Sequence, residues 1–110
     1  MAAKDELDLL QGTLDVLVLQ ALSHGPQHGY GIARFIRTGS GATFRILDGA
    51  LYTALHRMEE RGWVTSYWRT TANNRIARYY QLTPEGRTVL TEEIASWRRY
   101  ARAMESVIED

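Results

Sequence analysis

The chain has 110 residues, a length that supports one domain with a single hydrophobic core. Its 45% hydrophobic and 24% charged residues are ordinary for a globular protein and exclude an intrinsically disordered chain. The absence of cysteine excludes disulfides, thiolate metal sites and thiol redox chemistry. An acidic first segment, MAAKDELD, and the lack of a long apolar run predict a cytoplasmic protein without a signal peptide or membrane span.

The formal net charge is zero, but the charge is unevenly distributed along the chain. Residues 25–80 carry eight arginines and three acidic residues, a net charge of +5, whereas the two ends together carry −5. A basic middle between acidic ends can present positive charge to an anionic partner if those arginines lie close together in the fold.

The first half of the chain predicts two helices. Residues 5–11 are predicted as a short helical lead-in. Residues 13–23 are predicted as an amphipathic helix, because apolar residues recur every three or four positions until Gly25 and Pro26. A second helix is predicted from His28 to Thr38, followed by a glycine-rich turn. Residues 42–47 are predicted as a brief strand or an extended lead-in.

Residues 48–82 predict a helix followed at once by a hairpin. Asp48 is the expected N-cap, and Gly62 is the expected left-handed residue that ends the helix near residue 61. Two strand-like segments within residues 63–82 flank a polar turn in which Asn73 and Asn74 tolerate positive φ. Together with the upstream helices, this order predicts a mostly helical α+β fold of the winged helix-turn-helix type.

The outward face of this third helix carries groups suited to DNA. Its tyrosine, threonine, histidine and arginine side chains can contact phosphates or base edges in a major groove. A solvated helix face that binds nothing is the alternative interpretation. The hairpin tip has the same two interpretations, a wing that touches the DNA backbone or minor groove, or a polar turn without function. The predicted DNA contacts are Gly49, Tyr52, Thr53, His56 and Arg57 on the helix, His28 and Tyr30 at the start of the second helix, and Asn74 and Arg75 at the hairpin tip.

The C-terminal segment predicts a long helix that begins at Thr83-Pro84-Glu85, with a capping threonine and proline in the first turn. Its apolar residues alternate at spacings of four and three, a pattern typical of helix pairing, and the simplest partner is a second copy of the chain. The predicted dimer interface comprises Leu90, Ile94, Trp97, Ala101, Met104 and Ile108. The chain therefore divides into a winged-helix domain, residues 1–82, and a dimerisation helix, residues 83–110.

Trp97 has two interpretations. An indole is large for a tight two-helix seam, so two symmetry-related copies can leave a gap that suits a planar apolar or cationic ligand. Alternatively, Trp97 is a dimer anchor that fills its own space. The three histidines lack metal-ligand spacing, and no catalytic set or phosphate loop stands out. We therefore expect neither a metal, a cofactor nor an enzymatic activity.

Four segments resemble the PadR family of bacterial transcriptional regulators, namely LLQGTLDVLVLQAL, HGYGIARFI, GALYTALHRMEERGWVTSYW and NNRIARYYQLTPEGR. The likeness runs from about Leu9 to Trp97. The chain looks like the short form of the family and is particularly similar to its LmrR-like multidrug-sensing branch. That branch shares LYT, SYW and a tryptophan in the final helix. Thr53 stands where many relatives have proline.

The resemblance implies a homodimeric winged-helix repressor that binds a palindromic operator with its two recognition helices in successive major grooves. It also implies a ligand pore at the dimer centre, with Trp97 as the stacking indole and Asp15 and Val16 in its lining. Glu93 and Ala101, one turn either side of Trp97, differ from the LmrR-like pattern and leave the ligand range open.

Two hypotheses follow from the sequence. The favoured one is a sequence-specific DNA-binding repressor whose dimer responds to a small molecule. The other is a dimeric ligand- or protein-binding module that keeps the winged fold without reading DNA, and the neutral overall charge is compatible with it.

Overall fold

The computed structural model describes residues 7–8 and 12–109 of the chain. In chain order the elements are β1 (Leu7–Asp8), α1 (Thr13–Leu22), β2 (Gln27–His28), α2 (Gly29–Gly39), β3 (Phe44–Arg45), α3 (Asp48–Glu60), β4 (Val64–Thr70), β5 (Ile76–Leu82) and α4 (Pro84–Ile108). The predicted mostly helical α+β architecture is confirmed, since the described residues form four helices and a small antiparallel sheet.

The core forms where α1, α2 and α3 meet. Helix α1 buries Val18, Leu19 and Leu22, and α2 adds Ile32 and Ile36. Val18, Leu22, Ile32 and Ile36 belong to the apolar stripes that predicted the two helices, whereas Leu19 is fully buried and lies outside the predicted stripe. Burying side chains of this size stabilises the fold by roughly 1.5–3 kcal/mol each.

Helix α3 follows the predicted apolar stripe. It buries Leu51, Leu55 and Met58 and leaves its opposite face exposed. The predicted N-cap is wrong by one residue. Leu47 occupies that position without a side-chain cap, and Asp48 lies inside the first turn, where a carboxylate is still favoured by the helix dipole. Gly62 has φ of 79° and ends the helix as predicted.

Strands β4 and β5 form the predicted hairpin, which we call the wing. They pair antiparallel from Val64↔Leu82 to Thr70↔Ile76. At the tip Asn74 adopts the predicted positive φ, 61°, and its amide N–H donates to the carbonyl of Thr71. The sequence did not predict that β2 would join the other edge of β5 as a third strand. This pairing attaches the start of α2 directly to the wing.

A second, unpredicted pair links the chain start to the segment before α3. β1 and β3 are parallel, with Leu7 opposite Phe44 and Asp8 opposite Arg45. The predicted helical lead-in is therefore wrong at residues 7–8, while its other positions, 5–6 and 9–11, lie outside the described residues. For residues 42–47 the strand alternative is confirmed over two residues.

Helix α4 begins as predicted, with the Thr83 hydroxyl accepting a hydrogen bond from the Gly86 amide at 2.9 Å. A Cβ at Gly86 would overlap the carbonyl oxygen of Trp63, so glycine is needed for the helix to approach the base of the wing. The first half of α4 packs against α1, and Leu90 is buried in the same core. No helix in the described part of the chain is long and apolar enough to cross a bilayer.

Candidate nucleic-acid interface

A wide groove of about 1280 Å³ lies between α2, the exposed side of α3 and the wing. Three arginines line it, Arg34 from α2 and Arg75 and Arg78 from the wing, and no acidic residue does so among the described residues. Its aromatic lining comprises Tyr30, Phe35, Tyr52, Trp68, Tyr79 and Tyr80. A groove with fixed positive charge, no carboxylates and many ring faces suits a polyanion that carries sugars and bases.

Tyr52 joins α3 to this groove. Its side chain is half exposed and rests on Gly29, the first residue of α2. A Cβ at Gly29 would overlap the Tyr52 ring, so a larger residue there would displace the phenol. The absence of a Cβ at Gly29 therefore leaves room for the Tyr52 ring against the start of α2.

The start of α2 is fixed to the wing through aromatic contacts. His28 caps α2, because its Nδ1 accepts a hydrogen bond from the Gly31 amide at 3.0 Å. In the neutral ring this leaves Nε2–H as the donor. The imidazole packs edge-on against Tyr79 with ring centroids 5.2 Å apart, and Tyr79 stacks on Tyr67 at 6.0 Å. The Arg69 guanidinium lies 5.4 Å from the centre of the Tyr79 ring.

A polar network fixes the wing to α3. Arg78 donates from Nε to the Ser66 hydroxyl at 2.8 Å and from Nη2 to the Glu59 carboxylate at 3.3 Å. Ser66 in turn donates to Glu59 at 2.6 Å. Burial raises the pKa of the neighbouring Tyr80 phenol, while Arg78 acts in the opposite direction. These contacts connect α3 to both strands of the wing.

Glu59→Gln is expected to lower the free energy of unfolding by about 0.5–1 kcal/mol, because it removes the charge opposite Arg78 in a partly exposed pair. Urea denaturation measures the effect. The matched control is Glu60→Gln, since Glu60 is exposed and its one ion pair with a described residue is to His56 at 3.8 Å. Equal stability losses in both variants would show that the network does not hold the wing.

The structure brings only part of the predicted DNA-binding set to the groove. Tyr52, His28, Tyr30 and Arg75 line it, and Asn74 is exposed at the wing tip beside it. Gly49, Thr53 and His56 lie exposed on α3 outside the groove lining, on the surface of the helix that remains open to a partner. Arg57 differs from the others, because its guanidinium faces α1 and pairs with Asp15 at 2.5 Å.

Three groove residues were not predicted from the sequence as site residues, namely Arg34, Trp68 and Arg78. A signal for one of them was present, since Tyr30 and Arg34 are four residues apart on one face of α2. Trp68 and Arg78 are cross-strand partners, with the guanidinium 5.8 Å from the indole centre. Their pairing depends on the register of the hairpin, which the alternating pattern alone did not give.

A smaller cleft of about 230 Å³ separates α1 from α4. Of the five residues predicted for a ligand pore, Val16, Glu93 and Trp97 line this cleft. Asp15 faces α3 instead, and Ala101 lies beyond the described lining. The Trp97 and Tyr100 rings stack at the cleft with centroids 5.8 Å apart. The cleft therefore presents aromatic faces and one carboxylate.

Three helices pack together, and the third is exposed on one face. It is followed by a two-stranded wing beside an arginine-lined groove. This arrangement defines a winged helix-turn-helix DNA-binding protein. The family model described as "Transcriptional regulator PadR-like family" matches residues 18–92. The chain belongs to this family of DNA-binding transcriptional regulators, which is not a family of enzymes. Its likeness to the LmrR-like branch stays a prediction.

Solved structures carry the same fold. A transcriptional regulator from Clostridium thermocellum is similar with a TM-score of 0.81 and 26% identity, covering 90% of this chain and 96% of that one. A PadR family transcription regulator from Clostridium difficile R20291 has a TM-score of 0.76 and 29% identity, covering 88% of this chain and 99% of that one.

One relative known from sequence is an uncharacterised 37.1 kDa protein in a transposon of Streptomyces fradiae. It is 40% identical over 96 residues, which are 86% of this chain. The chain spans only 26% of that relative's length.

Proposed function

We propose that the chain is a sequence-specific repressor that binds a palindromic operator as a homodimer and responds to a small planar aromatic or cationic ligand. The DNA-binding part of the proposal is supported by the groove between α2 and the wing. Arg34 and Arg75 line this groove and form no ion pair with any described residue, and no described carboxylate lines it. Its positive charge is therefore available to phosphates.

In this proposal each part of the interface has its own role. The exposed face of α3 enters the major groove, where Gly49 permits close approach and Thr53 and His56 meet base edges. Tyr52, His28 and Tyr30 contact the sugar-phosphate backbone at the entrance of the groove. Asn74 and Arg75 at the wing tip reach the adjacent backbone or minor groove.

The dimer is supported by the apolar surface at the end of α4. Trp97 is 44% exposed, Met104 45% and Ile108 66%, all on one stripe of the helix. Three exposed apolar side chains at this spacing lose contact with water if two copies pack along the stripe. Leu90 and part of Ile94, which the sequence assigned to the interface, pack into the chain's own core. The proposed seam therefore runs from Trp97 to Ile108 and includes Ala101.

The ligand site is supported by the cleft between α1 and α4. At about 230 Å³ the cleft of one chain is smaller than typical drug-sized sites, and a second copy across the α4 seam would enlarge it. Trp97 and Tyr100 offer stacking faces, and Glu93 offers negative charge to a cation. A ligand that weakens DNA binding must itself bind less tightly to the DNA complex.

Selection of duplexes from a randomised pool tests the DNA-binding proposal. We expect the protein to enrich an inverted repeat and to bind it more tightly than its scrambled sequence. We also expect affinity to fall steeply between about 50 and 200 mM salt. Equal affinity for the selected and scrambled duplexes would instead favour the winged module that does not read DNA.

Trp97→Ala is expected to weaken the binding of ethidium, a planar aromatic cation, about tenfold in the absence of DNA, because one stacking face is lost. Dye fluorescence measures binding. Trp68→Ala is the matched control, since it removes an exposed indole from the wing and leaves the cleft unchanged. Equal weakening in the two variants would remove the ligand site from the proposal.

A further inference from the structure

The recognition helix α3 contains one arginine and no lysine. Arg57 lies one turn after Thr53, on the side of α3 that neighbours the exposed face. Its guanidinium nevertheless turns inward, with Nη2 at 2.5 Å from Oδ1 of Asp15. The Asp15 side chain is 19% exposed and the Arg57 side chain 38%, so the pair is partly sheltered from water.

Asp15 is well placed to hold this arginine. It lies in the first turn of α1, where the helix dipole favours a carboxylate. Among the described residues, Arg57 is its only ion-pair partner. Helix α1 also packs against α3 in the core, which keeps the two side chains within reach of each other.

The pair leaves the exposed face of α3 without a free fixed cation. Thr53 is uncharged, and the His56 ring has a carboxylate, Glu60, 3.8 Å away. Among the arginines that form no ion pair with a described residue, Arg34 on α2 and Arg75 on the wing tip line the groove. An unpaired arginine on α3 would be attracted to any phosphate, because that interaction does not depend on base sequence.

We propose that Asp15 is a positioning residue of the DNA interface that withdraws Arg57 from phosphate. Recognition by α3 then depends on uncharged contacts to bases, and sequence-independent attraction comes from α2 and the wing. This inference rests on the proposed function, because it assumes that the exposed face of α3 meets DNA.

Asp15→Asn tests the inference, since the amide keeps the shape of the side chain and loses its charge. With Arg57 released, affinity for a scrambled duplex is expected to rise about tenfold. The slope of log affinity against log salt should steepen by about 0.9, the value for one added phosphate contact. Preference for the selected duplex over the scrambled one should fall. Arg57→Gln alone should change neither affinity much, and Asp15→Asn/Arg57→Gln should return both to wild-type values.

Three results would overturn the inference. Asp15→Asn could leave the salt slope unchanged, which would place Arg57 out of reach of DNA. It could weaken DNA binding while thermal melting stays cooperative, which would make the ion pair a support for the helix. Arg57→Gln alone could weaken binding strongly, which would mean that Arg57 contacts DNA despite Asp15. A failure of the proposed function is distinct, because the wild-type protein would then show no preference for a selected duplex.

Discussion

Replacing both Arg34 and Arg75 by glutamine is expected to weaken DNA binding by about a hundredfold, or about 2.8 kcal/mol. The two side chains lie on opposite sides of the groove, one on α2 and one at the wing tip, and neither pairs with a described acidic residue. Each charge-assisted contact to phosphate contributes roughly 1.4 kcal/mol in this account. The salt slope should fall by about 1.8, because two phosphates are no longer neutralised. Fluorescence anisotropy at several salt concentrations measures both quantities.

The matched control is Arg87→Gln/Arg98→Gln. Both residues are exposed on α4 and outside the groove lining, so this variant makes the same change in net charge. It should retain most of the affinity and the wild-type slope. If the two double variants lose affinity equally, DNA responds to the total charge of the protein and not to the groove.

Ala101→Glu is expected to convert the protein to a monomer. In the proposed dimer, Ala101 lies in the α4 seam between Trp97 and Met104, and a glutamate there would bury an unpaired charge in each copy. We expect the dimer dissociation constant to rise about a thousandfold, or about 4 kcal/mol. DNA affinity should also drop strongly, because two linked recognition helices bind as one unit. Sedimentation equilibrium measures the first effect directly.

Ala95→Glu makes the same substitution on the opposite side of α4, at an exposed position away from the apolar stripe. It should leave the dimer intact, and so it separates the effect of position from that of an added charge. A wild-type mass in sedimentation for Ala101→Glu would mean that the seam from Trp97 to Ile108 does not join two copies.

The elements that the sequence predicted well are those whose signals are local. The stripes of α1 and α3, the Thr83-Pro84 start of α4 and the positive φ of Asn74 each depend on residues a few positions apart. Helical spacing identifies which side of α3 is buried, and that alone gives the exposed face of the recognition helix.

The features that the sequence did not predict depend on contacts between distant segments. β1 and β3 have two residues each and exist only because they pair across about a third of the chain. β2 is a strand because β5 offers it an edge. The same limit explains the wrong orientation predicted for Arg57. Helical periodicity placed its side chain outward, but it turns toward Asp15, which is 42 residues away and on another helix.

For the candidate site, the sequence predicted several of the residues but not the contacts that hold them in place. Tyr52, His28, Tyr30 and Arg75 were named from the exposed face of α3, the start of α2 and the polar turn, and the structure brings these four to one groove. Beside that groove, Glu59, Ser66 and Arg78 form a network that joins three elements, α3, β4 and β5, and its ends are 19 positions apart in the sequence. No local pattern in the sequence reports such a network.

In the proposed complex, duplex DNA occupies the groove between α2 and the wing. Acrylamide quenching of Trp68 tests it most directly, in a variant that carries Trp63→Phe and Trp97→Phe so that Trp68 is the sole indole. Trp68 lines the groove and is 66% exposed in the free protein. We predict that a saturating selected duplex lowers its quenching constant several-fold, because DNA then covers the indole. An unchanged quenching constant with DNA bound would contradict the claim.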